Sequence, residues 1–296
     1  MKIEDYYVLF NPISGNGKAK VLVKKLISDL EKQKLTYKLI QSDYPGHAKK
    51  ICKTLQNYKK IIIIGGDGTF NEVINGIMVN NHKPTIGFLP GGTGNAMMYD
   101  LQATSYGAAM DIILKGKTKK IDVMKLDLSD HTEYSINIVG WGMAGDINIL
   151  SEKLRFLGAA RYTISSMYYV FNKICRKAKI QIDGIEMIDN FLFILNLNTI
   201  HTGKGMKAAP NAKLDDGLID VIILKSNISK LQLLLLLPKI FSGKHILSSK
   251  VEYIQAKQVN IIPDYEEILN IDGEMKCSTP VNISIIPKAI EIFSKN

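Results

Sequence analysis

Three glycine-rich turns in the first third of the chain have residue types suited to phosphate binding. They read NPISGNGKA (residues 11–19), GGDGTFNEV (65–73) and PGGTGN (90–95). Glycine lets backbone N–H groups approach an anion closely, and a helix that starts at such a turn directs the positive end of its dipole at that anion. The middle turn also contains Asp67. A carboxylate beside phosphate makes chemical sense where Mg²⁺ lies between them or a proton must be removed. These residues predict phosphoryl-transfer chemistry.

Each turn also has a plainer interpretation. Asp67 could be the N-cap of an ordinary strand-to-helix turn, and three tight turns could be unrelated. The first turn is not a Walker A loop, because its glycine spacing differs and Ala19 stands where Ser or Thr would bind the metal. However, each turn follows a predicted parallel strand, and the carboxyl ends of parallel strands meet at one edge of a sheet. We therefore favour one phosphate site built from all three turns.

The elements that would position these turns alternate regularly over the first 120 residues. The predicted strands are 6–10, 37–41, 61–64 and 85–89, and the predicted helices are 18–33, 47–55, 70–78 and 105–115. Residues 61–64 are four consecutive isoleucines, which is typical of a strand buried on both faces. The alternation predicts an α/β domain with a parallel sheet.

Beyond residue 120, short strand-like runs dominate. The predicted strands are 121–128, 133–139, 178–182, 190–198, 218–224, 251–256, 258–262 and 281–286, and helices are predicted at 161–177 and 230–241. Asp-Gly turn signals at residues 183–184, 216–217 and 272–273 separate several of the strands. This pattern predicts an antiparallel sandwich or barrel.

Composition limits the class of protein. Of the 296 residues, 46% are apolar and 22% are charged, which suits a well-packed soluble enzyme. Cys52, Cys175 and Cys277 show neither disulfide nor zinc spacing and predict a reducing compartment. No signal peptide is recognisable, and the apolar stretch 231–241 is far shorter than the roughly 20 residues of a membrane span.

The net charge of +10 has two interpretations. One is simple solubility, and the other is attraction to anionic nucleotides and lipid head groups. We expect no nucleic-acid partner, because the chain has no RNP-like aromatic pattern, no zinc-finger spacing and no long basic run. The expected localisation is cytoplasmic, with peripheral contact to an anionic membrane surface.

In this order, the three turns resemble the catalytic domain of the diacylglycerol kinase family, which includes bacterial lipid kinases, sphingosine kinases and ceramide kinases. DDGLID at 215–220 and DGE at 272–274 match further signatures of that family. The resemblance implies a nucleotide-binding α/β domain similar to phosphofructokinase and NAD kinase, a lipid-substrate β-sandwich and a site in the cleft between them. It implies domains at 1–120 and 121–286, with 287–296 returning to the first.

The activity implied by the resemblance is transfer of the γ-phosphate of ATP, with Mg²⁺, to a hydroxyl of a membrane lipid. A homodimer is left open. Two alternatives are a soluble NAD-kinase-like enzyme and a non-catalytic lipid-binding protein. The PGGTGN turn weighs against the first, and the intact acids and glycines weigh against the second.

The same resemblance assigns roles to individual residues. Catalysis is expected of Asp67, Asp272 and Glu274, and either Asp67 or Asp272 is the general base. Asp67 is expected to contact one Mg²⁺. At Asp215, Asp216 and Asp220, either a second Mg²⁺ or simply a turn capped by acids is expected. Nucleotide contacts are expected of Asn11, Ser14, Gly15, Lys18, Ser42, Gly66, Gly68, Thr69, Gly92, Thr93, Asn95, Glu152, Arg155 and Arg161.

Residues 142–162, GMAGDINILSEKLRFLGAARY, resemble a segment of the sphingosine and ceramide kinases. On that match, substrate contacts fall to Asp146, Asn148 and Tyr162; a charged helix face is the plainer interpretation. Sphingosine kinases carry an acid for the sphingoid amine where this chain has Asn148. An amide offers an ammonium no charge partner, so the departure leaves ceramide, diacylglycerol or another neutral lipid open. Apolar residues at 164–174 and 231–241 are expected in the core or in a lipid slot, and, where exposed, on a bilayer.

Overall fold

The computed structural model describes residues 5–56, 58–80 and 82–295, apart from the side chains of Arg155, Ala159 and Lys204. The chain divides into two compact units. One comprises Met1–Val123 with Pro287–Asn296, and the other comprises Met124–Ile286.

The first unit is an α/β unit. Its strands are β1 (Tyr6–Phe10), β2 (Tyr37–Gln41), β3 (Lys60–Gly65) and β4 (Thr85–Pro90). They pair in parallel in the order β4-β3-β1-β2. The four isoleucines of β3 are fully buried, as expected of a central strand in a parallel sheet.

The described residues of this unit form five helices. They are α1 (Lys18–Lys32), α2 (His47–Lys53), α3 (Asp67–Met78), α4 (Ala96–Asp100) and α5 (Tyr106–Lys115). Helix α3 begins at Asp67, three residues before the predicted start, and its N-cap is Gly66. The prediction of a start near residue 70, and the alternative of Asp67 as N-cap, are therefore wrong: Gly66 is the extended N-cap, and Asp67 and Gly68 already lie in the first turn of the helix. Helix α4 was missed because it is only 5 residues long.

The second unit is an antiparallel β-sandwich. Its strands are β5 (Thr118–Asp127), β6 (Thr132–Ser135), β7 (Ile138–Gly142), β8 (Arg176–Ile182), β9 (Ile185–Leu197), β10 (His201–Thr202), β11 (Met206–Lys207), β12 (Ile219–Lys225), β13 (Val251–Ala256), β14 (Gln258–Pro263), β15 (Ile268–Ile271), β16 (Glu274–Ser278) and β17 (Val281–Phe293). The main order is β16-β15-β7-β9-β8-β14-β17, with β12 joining β9 to β13. Trp141 and Phe191 lie in its apolar interior. The predicted fold class is confirmed.

The helices of the second unit are α6 (Met143–Lys153), α7 (Arg161–Phe171), α8 (Lys230–Leu236) and α9 (Lys239–Ser242). Short 3-10 helices span Arg155–Ala160, Gly203–Gly205 and Lys244–Leu247. No helix in the described part of the chain is long and apolar enough to cross a membrane.

Three predicted elements of the second unit differ from the structure. The predicted helix 161–177 ends at Phe171, because the chain from Arg176 onward pairs with β9 as strand β8. The predicted helix 230–241 is two helices, and they separate at Pro238, which has no N–H to continue the first. The predicted strand 133–139 is interrupted at 136–137.

Both connections between the units lie inside strands. The first unit passes into the second within β5, and the second passes back within β17. The end of β17 then runs parallel to β4, where Ile292 pairs with Ile86.

Candidate functional site

The parallel sheet brings the predicted nucleotide residues to one edge. Asn11, Ser42, Gly66 and Gly91 directly follow β1, β2, β3 and β4. The strand register places these four ends at the same level. Asn11 Nδ2 donates a hydrogen bond to Thr69 Oγ1 at 3.3 Å, which links the first turn to the second. The convergence expected from the sequence is therefore present in the first unit.

Glycine is needed where these turns touch. A Cβ atom on Gly91 would lie 2.9 Å from the backbone nitrogen of Gly65, and one on Gly66 would lie 3.1 Å from the Cα of Gly92. Gly15 has φ +59°, and its Cβ would contact the carbonyl oxygen of Gly91. Side chains at these positions would force the three turns apart.

The side chain of Asp67 links the second turn to the end of the third. Its Oδ1 accepts a hydrogen bond from Ala96 N at 2.9 Å, and a Cβ on Gly94 would lie 2.7 Å from its Oδ2. Gly68 and the buried Thr69 follow it in the first turn of α3. A single carboxylate in this position fits a hard divalent cation that is also bound by phosphate oxygens and water.

The helices that begin at the turns lack side-chain caps. No side chain caps the N-terminus of α1 at Gly17 or of α3 at Gly66. Among the helices that begin away from the turns, Ser105 caps α5 and Ser229 caps α8, whereas α6 and α7 also have no side-chain cap. Since the first amides of a helix require acceptors, the uncapped ends fit an anionic ligand such as nucleotide phosphate.

The other predicted nucleotide residues of the first unit differ in exposure. Ser42 is buried, and Ser14 is half-buried. Lys18, the first residue of α1, and Thr93 are exposed. Asn95 closes the third turn on itself: its Oδ1 accepts from Gly92 N at 3.1 Å, and its Nδ2 donates to Gly92 O at 2.9 Å.

Glu72, to which the sequence assigned no role, fixes the neighbouring helix. Its carboxylate accepts hydrogen bonds from Gly46 N at 2.8 Å and Ala48 N at 3.1 Å, at the start of α2. A carboxylate suits the positive end of a helix. The available signal was the absence of any Ser, Thr, Asp or Asn at the N-cap of α2.

A cavity of about 300 Å³ lies in the second unit. Its lining consists of Gly142, Gly145, Asp146, Ile149, Arg176, Glu267, Ile268 and Met275. Nη2 of Arg176 lies 2.8 Å from both carboxylate oxygens of Asp146, and its Nε lies 2.6 Å from Oε2 of Glu267. Burial raises the pKa of Asp146, and the charge of Arg176 opposes that rise. One wall is therefore polar and internally paired, while Ile149, Ile268 and Met275 make the cavity partly apolar.

Only one of the three predicted substrate residues lines this cavity, namely Asp146. Asn148 is buried on α6 and donates from Nδ2 to Gly273 O at 2.8 Å, so it holds a hairpin turn instead. The Tyr162 hydroxyl accepts from Arg161 Nη2 at 3.2 Å. Arg176 was missed because it was assigned to the end of a helix.

The predicted nucleotide residues of the second unit are paired with each other. Arg161 Nη1 lies 3.3 Å from Glu152 Oε1. The side chain of Arg155 lies outside the described residues. Nucleotide contacts by these residues stay predictions.

The carboxylate of Asp272 accepts several hydrogen bonds. The residue is 3% exposed, and its Oδ1 accepts from Ser135 Oγ at 2.6 Å and from the backbone nitrogens of Asn137 and Ile138 at 3.0 Å each. Its Oδ2 accepts from Ile136 N at 3.2 Å. These amides turn towards the carboxylate instead of a neighbouring strand, which is why the predicted strand 133–139 is broken. Glu274, by contrast, is exposed at the start of β16.

The three acids expected to share a metal ion do not form a ligand group. No cluster of three or more His, Cys, Asp or Glu with metal-binding geometry occurs among the described residues. Asp220 points into the interior, where burial raises its pKa and Tyr253 and Gln255 donate hydrogen bonds to it. Asp216 accepts from Leu218 N at 3.1 Å, and Asp215 lies next to it in the turn. The alternative of a turn capped by acids describes Asp216 better.

Comparison with known proteins identifies the family. Two family models together match most of the chain: the diacylglycerol kinase catalytic domain over residues 5–126, and the YegS C-terminal NAD kinase beta sandwich-like domain over residues 137–294. A diacylglycerol kinase of Staphylococcus carnosus strain TM300 is 31% identical over 294 residues, which covers 97% of this chain and 94% of that protein. The chain belongs to the diacylglycerol kinase family. A second member, from Staphylococcus aureus strain MRSA252, is 30% identical over 98% of this chain and 92% of its own length.

Solved structures agree with this diacylglycerol kinase assignment. A putative diacylglycerol kinase from Bacillus anthracis strain Sterne superposes with a TM-score of 0.84 at 26% identity, covering 100% of this chain and 98% of that one. An NAD kinase from Archaeoglobus fulgidus in complex with ATP shares the fold, with a TM-score of 0.53 at 13% identity and coverage of 98% and 94%. At the level of the family, the diacylglycerol kinase relationship supports a lipid kinase, and membership of a kinase family implies the use of ATP.

Proposed function

We propose that the protein transfers the γ-phosphoryl group of ATP to a hydroxyl of a neutral membrane lipid of the diacylglycerol type. The observation that carries the proposal is the meeting of three glycine turns around Asp67 at the carboxyl edge of the parallel sheet. Phosphoryl transfer depends on holding the phosphates in place and on neutralising their charge. Backbone amides and one carboxylate at the same edge supply the means for both.

The first unit binds the nucleotide in this proposal. The N-terminal amides of α1 and α3 donate hydrogen bonds to the phosphates, and the hydrogen bond from Asn11 to Thr69 keeps their turns together. Asp67 is the residue that would hold Mg²⁺, since a carboxylate is a hard oxygen ligand of the kind this ion prefers. Mg²⁺, when bound, neutralises charge on the phosphates during transfer.

Asp67 is also our choice for the acid that orients the acceptor hydroxyl. Asp272, the other candidate, is 3% exposed and its carboxylate already accepts at least four hydrogen bonds, so it is poorly accessible to an acceptor hydroxyl. Its contacts support a role in fixing residues 136–138 against the β15–β16 hairpin.

The second unit binds the acceptor. Both oxygens of Asp146 are paired with Arg176, so this carboxylate is not available to an ammonium group. Asn148 also argues against an ammonium group, because it is uncharged and donates a hydrogen bond to Gly273 O. A lipid whose polar end carries hydroxyls and no positive charge therefore fits the cavity better than a sphingoid base, and the names of the relatives favour diacylglycerol.

The test is transfer of labelled γ-phosphate from ATP to a panel of acceptors in mixed micelles with Mg²⁺. The panel contains diacylglycerol, monoacylglycerol, ceramide, sphingosine and, as a water-soluble acceptor, NAD. We expect label in diacylglycerol above all others, and its loss in Asp67→Asn. Label only in NAD would overturn the lipid assignment, and preference for sphingosine would overturn the reasoning about Asp146.

A pair of matched variants separates chemistry from folding. Asp67→Asn should abolish transfer and leave thermal unfolding close to wild type. Asp272→Asn should lower the unfolding temperature, because an amide nitrogen would face backbone N–H groups. A stable, inactive Asp272→Asn protein would instead return the role of general base to Asp272.

A further inference from the structure

The helices of the second unit carry exposed apolar side chains on adjoining elements. We call this set the apolar face; its members are 44–67% exposed. They are Ile164, Tyr168 and Phe171 of α7, Leu231 and Leu235 of α8, and Phe241 of α9. Single exposed apolar residues are common on protein surfaces, but a contiguous group of large ones marks an interaction site.

Spacing places these residues in stripes. Residues 164, 168 and 171 are four and three positions apart, so they share one side of α7, and residues 231 and 235 share one side of α8. The opposite sides of both helices enter one buried cluster, to which Val170, Leu233 and Leu236 belong. Helix α7 contacts α8, and α8 contacts α9, so the exposed stripes lie on neighbouring elements of the surface.

Helix α8 is the clearest case. It reads KLQLLLL, with Leu233 and Leu236 buried and Leu231 and Leu235 exposed. A helix that rests on a core in water ordinarily has polar residues on its outer side. The outer side of α8 instead exposes Leu231 and Leu235 beside Lys230 and Gln232. Its start is nevertheless well fixed, because Ser229 and Gln232 form a capping box.

The segments that carry the apolar face contain basic residues and no acid. None of the 28 Asp and Glu residues of the chain lies in segments 153–182 or 226–251, which contain α7 and the pair α8 and α9. Lys230 and Lys239 begin α8 and α9, and Lys244 follows α9; all three are exposed. Glu152, which precedes these segments, is paired with Arg161 at the start of α7. An apolar surface bordered by exposed lysines complements a bilayer with anionic head groups. A second copy of this face would instead oppose lysine to lysine.

We propose that α7, α8 and α9 dock the second unit on an anionic lipid bilayer. The apolar face enters the boundary between head groups and acyl chains, where Tyr168 and Phe171 are aromatic residues of the kind enriched at membrane interfaces. The exposed lysines lie among the lipid phosphates. Docking requires neither ATP nor an acceptor lipid, so it can hold or fail independently of the proposed kinase activity.

The test is flotation of the full chain with vesicles, without nucleotide. One set of vesicles consists of phosphatidylcholine, and the other consists of phosphatidylcholine and phosphatidylglycerol in equal amounts. We expect the wild-type protein to bind the mixed vesicles. In Leu231→Gln/Leu235→Gln, binding should weaken about tenfold or more for each leucine, because each substitution removes a leucine side chain from an apolar environment. The matched control is Ile185→Gln/Ile188→Gln, which removes two equally exposed isoleucines from β9, outside the apolar face. It should bind as the wild type does.

A second variant set tests the charge. Lys230→Gln/Lys239→Gln/Lys244→Gln should weaken binding to the mixed vesicles by about fivefold per lysine and should not affect binding to phosphatidylcholine. Equal loss in the isoleucine control, or no preference for phosphatidylglycerol, would overturn the proposal. So would a wild-type dimer in sedimentation that the leucine variant converts to a monomer, because a second copy would then cover the face. Phosphorylation of a short-chain, water-dispersed diacylglycerol should be equal in wild type and docking variants.

Discussion

Replacement of Arg176 by glutamine should destabilise the second unit far more than loss of an exposed positive charge. The guanidinium joins Asp146 of α6 to Glu267, which precedes β15, at distances of 2.8 and 2.6 Å. Its side chain is 12% exposed, and those of its partners are 17% and 28% exposed. The substitution leaves two mostly buried carboxylates facing each other without a counter-charge.

The size of the effect follows from this burial. Removal of one partner from a buried ion pair costs about 3–5 kcal/mol of unfolding free energy. The cavity beside Arg176 admits some water, so we expect about 2–4 kcal/mol here, which corresponds to a fall of roughly 5–15 °C in the unfolding temperature of a unit of this size. Lys179→Gln is the matched control, because it removes a positive charge from the same strand. Its partner Glu186 lies 2.6 Å away, but the two side chains are 45% and 43% exposed, so the loss should be at most about 1 kcal/mol.

The loss of unfolding free energy in Arg176→Gln should also depend on pH. Burial raises the pKa of Asp146 above its ordinary value of 3.8, and without Arg176 the pKa rises further. A carboxyl whose pKa is higher in the folded state contributes stability at low pH and loses that contribution as the pH rises through the folded pKa. The deficit should therefore be largest near neutral pH and shrink as the pH falls towards the ordinary Asp value.

Thermal and denaturant unfolding of wild type, Arg176→Gln and Lys179→Gln over a range of pH provides the measurement. Equal losses in the two variants would show that the guanidinium contributes no more than an exposed charge. A deficit that did not change with pH would show that the loss arises from packing and not from the unpaired carboxylates.

Three further predictions follow from single contacts. Gly91→Ala should lower kcat/KM for ATP by about tenfold or more, because the new Cβ displaces the third turn; Gly107→Ala, whose Cβ would meet nothing within 4 Å, should leave activity unchanged in the same assay. Glu72→Ala should cost about 1–2 kcal/mol in denaturant unfolding and speed amide exchange in α2, and unchanged exchange there would contradict its capping role. Burial raises the pKa of the Cys52 thiol to about 12, so iodoacetamide at mildly alkaline pH should alkylate the exposed Cys175 first, and peptide mass spectrometry showing early modification of Cys52 would refute this.

The parts of the fold and site that were predictable depend on local sequence. Four consecutive isoleucines specify a strand buried on both faces wherever the chain places them. Glycine turns directly after parallel strands meet at one edge because the sheet itself brings the strand ends together. Residues 65–69 and 91–95 could therefore be assigned to one site from the sequence.

The parts that were missed depend on distant partners. Arg176 lies 30 positions from Asp146 and 91 from Glu267, so no local spacing in the sequence indicates these ion pairs. Asp272 meets donors that lie 134 to 137 positions away, and its Asp-Gly turn gave no sign of them. Asp220 has the spacing of a metal ligand, yet β12 buries its side chain. In each case the fold, and not the spacing, decided the partner.

The position of β17 has a consequence for the synthesis of the protein. Its end lies against β4, although residues 124–286 are made after β4 and before that end. Translation at about 5–20 residues per second leaves the β4 edge without this neighbour for on the order of ten seconds. An open strand edge can pair with another chain, so this edge is exposed to such pairing while the polypeptide grows on the ribosome. The first unit begins the chain, yet it is the last to be completed.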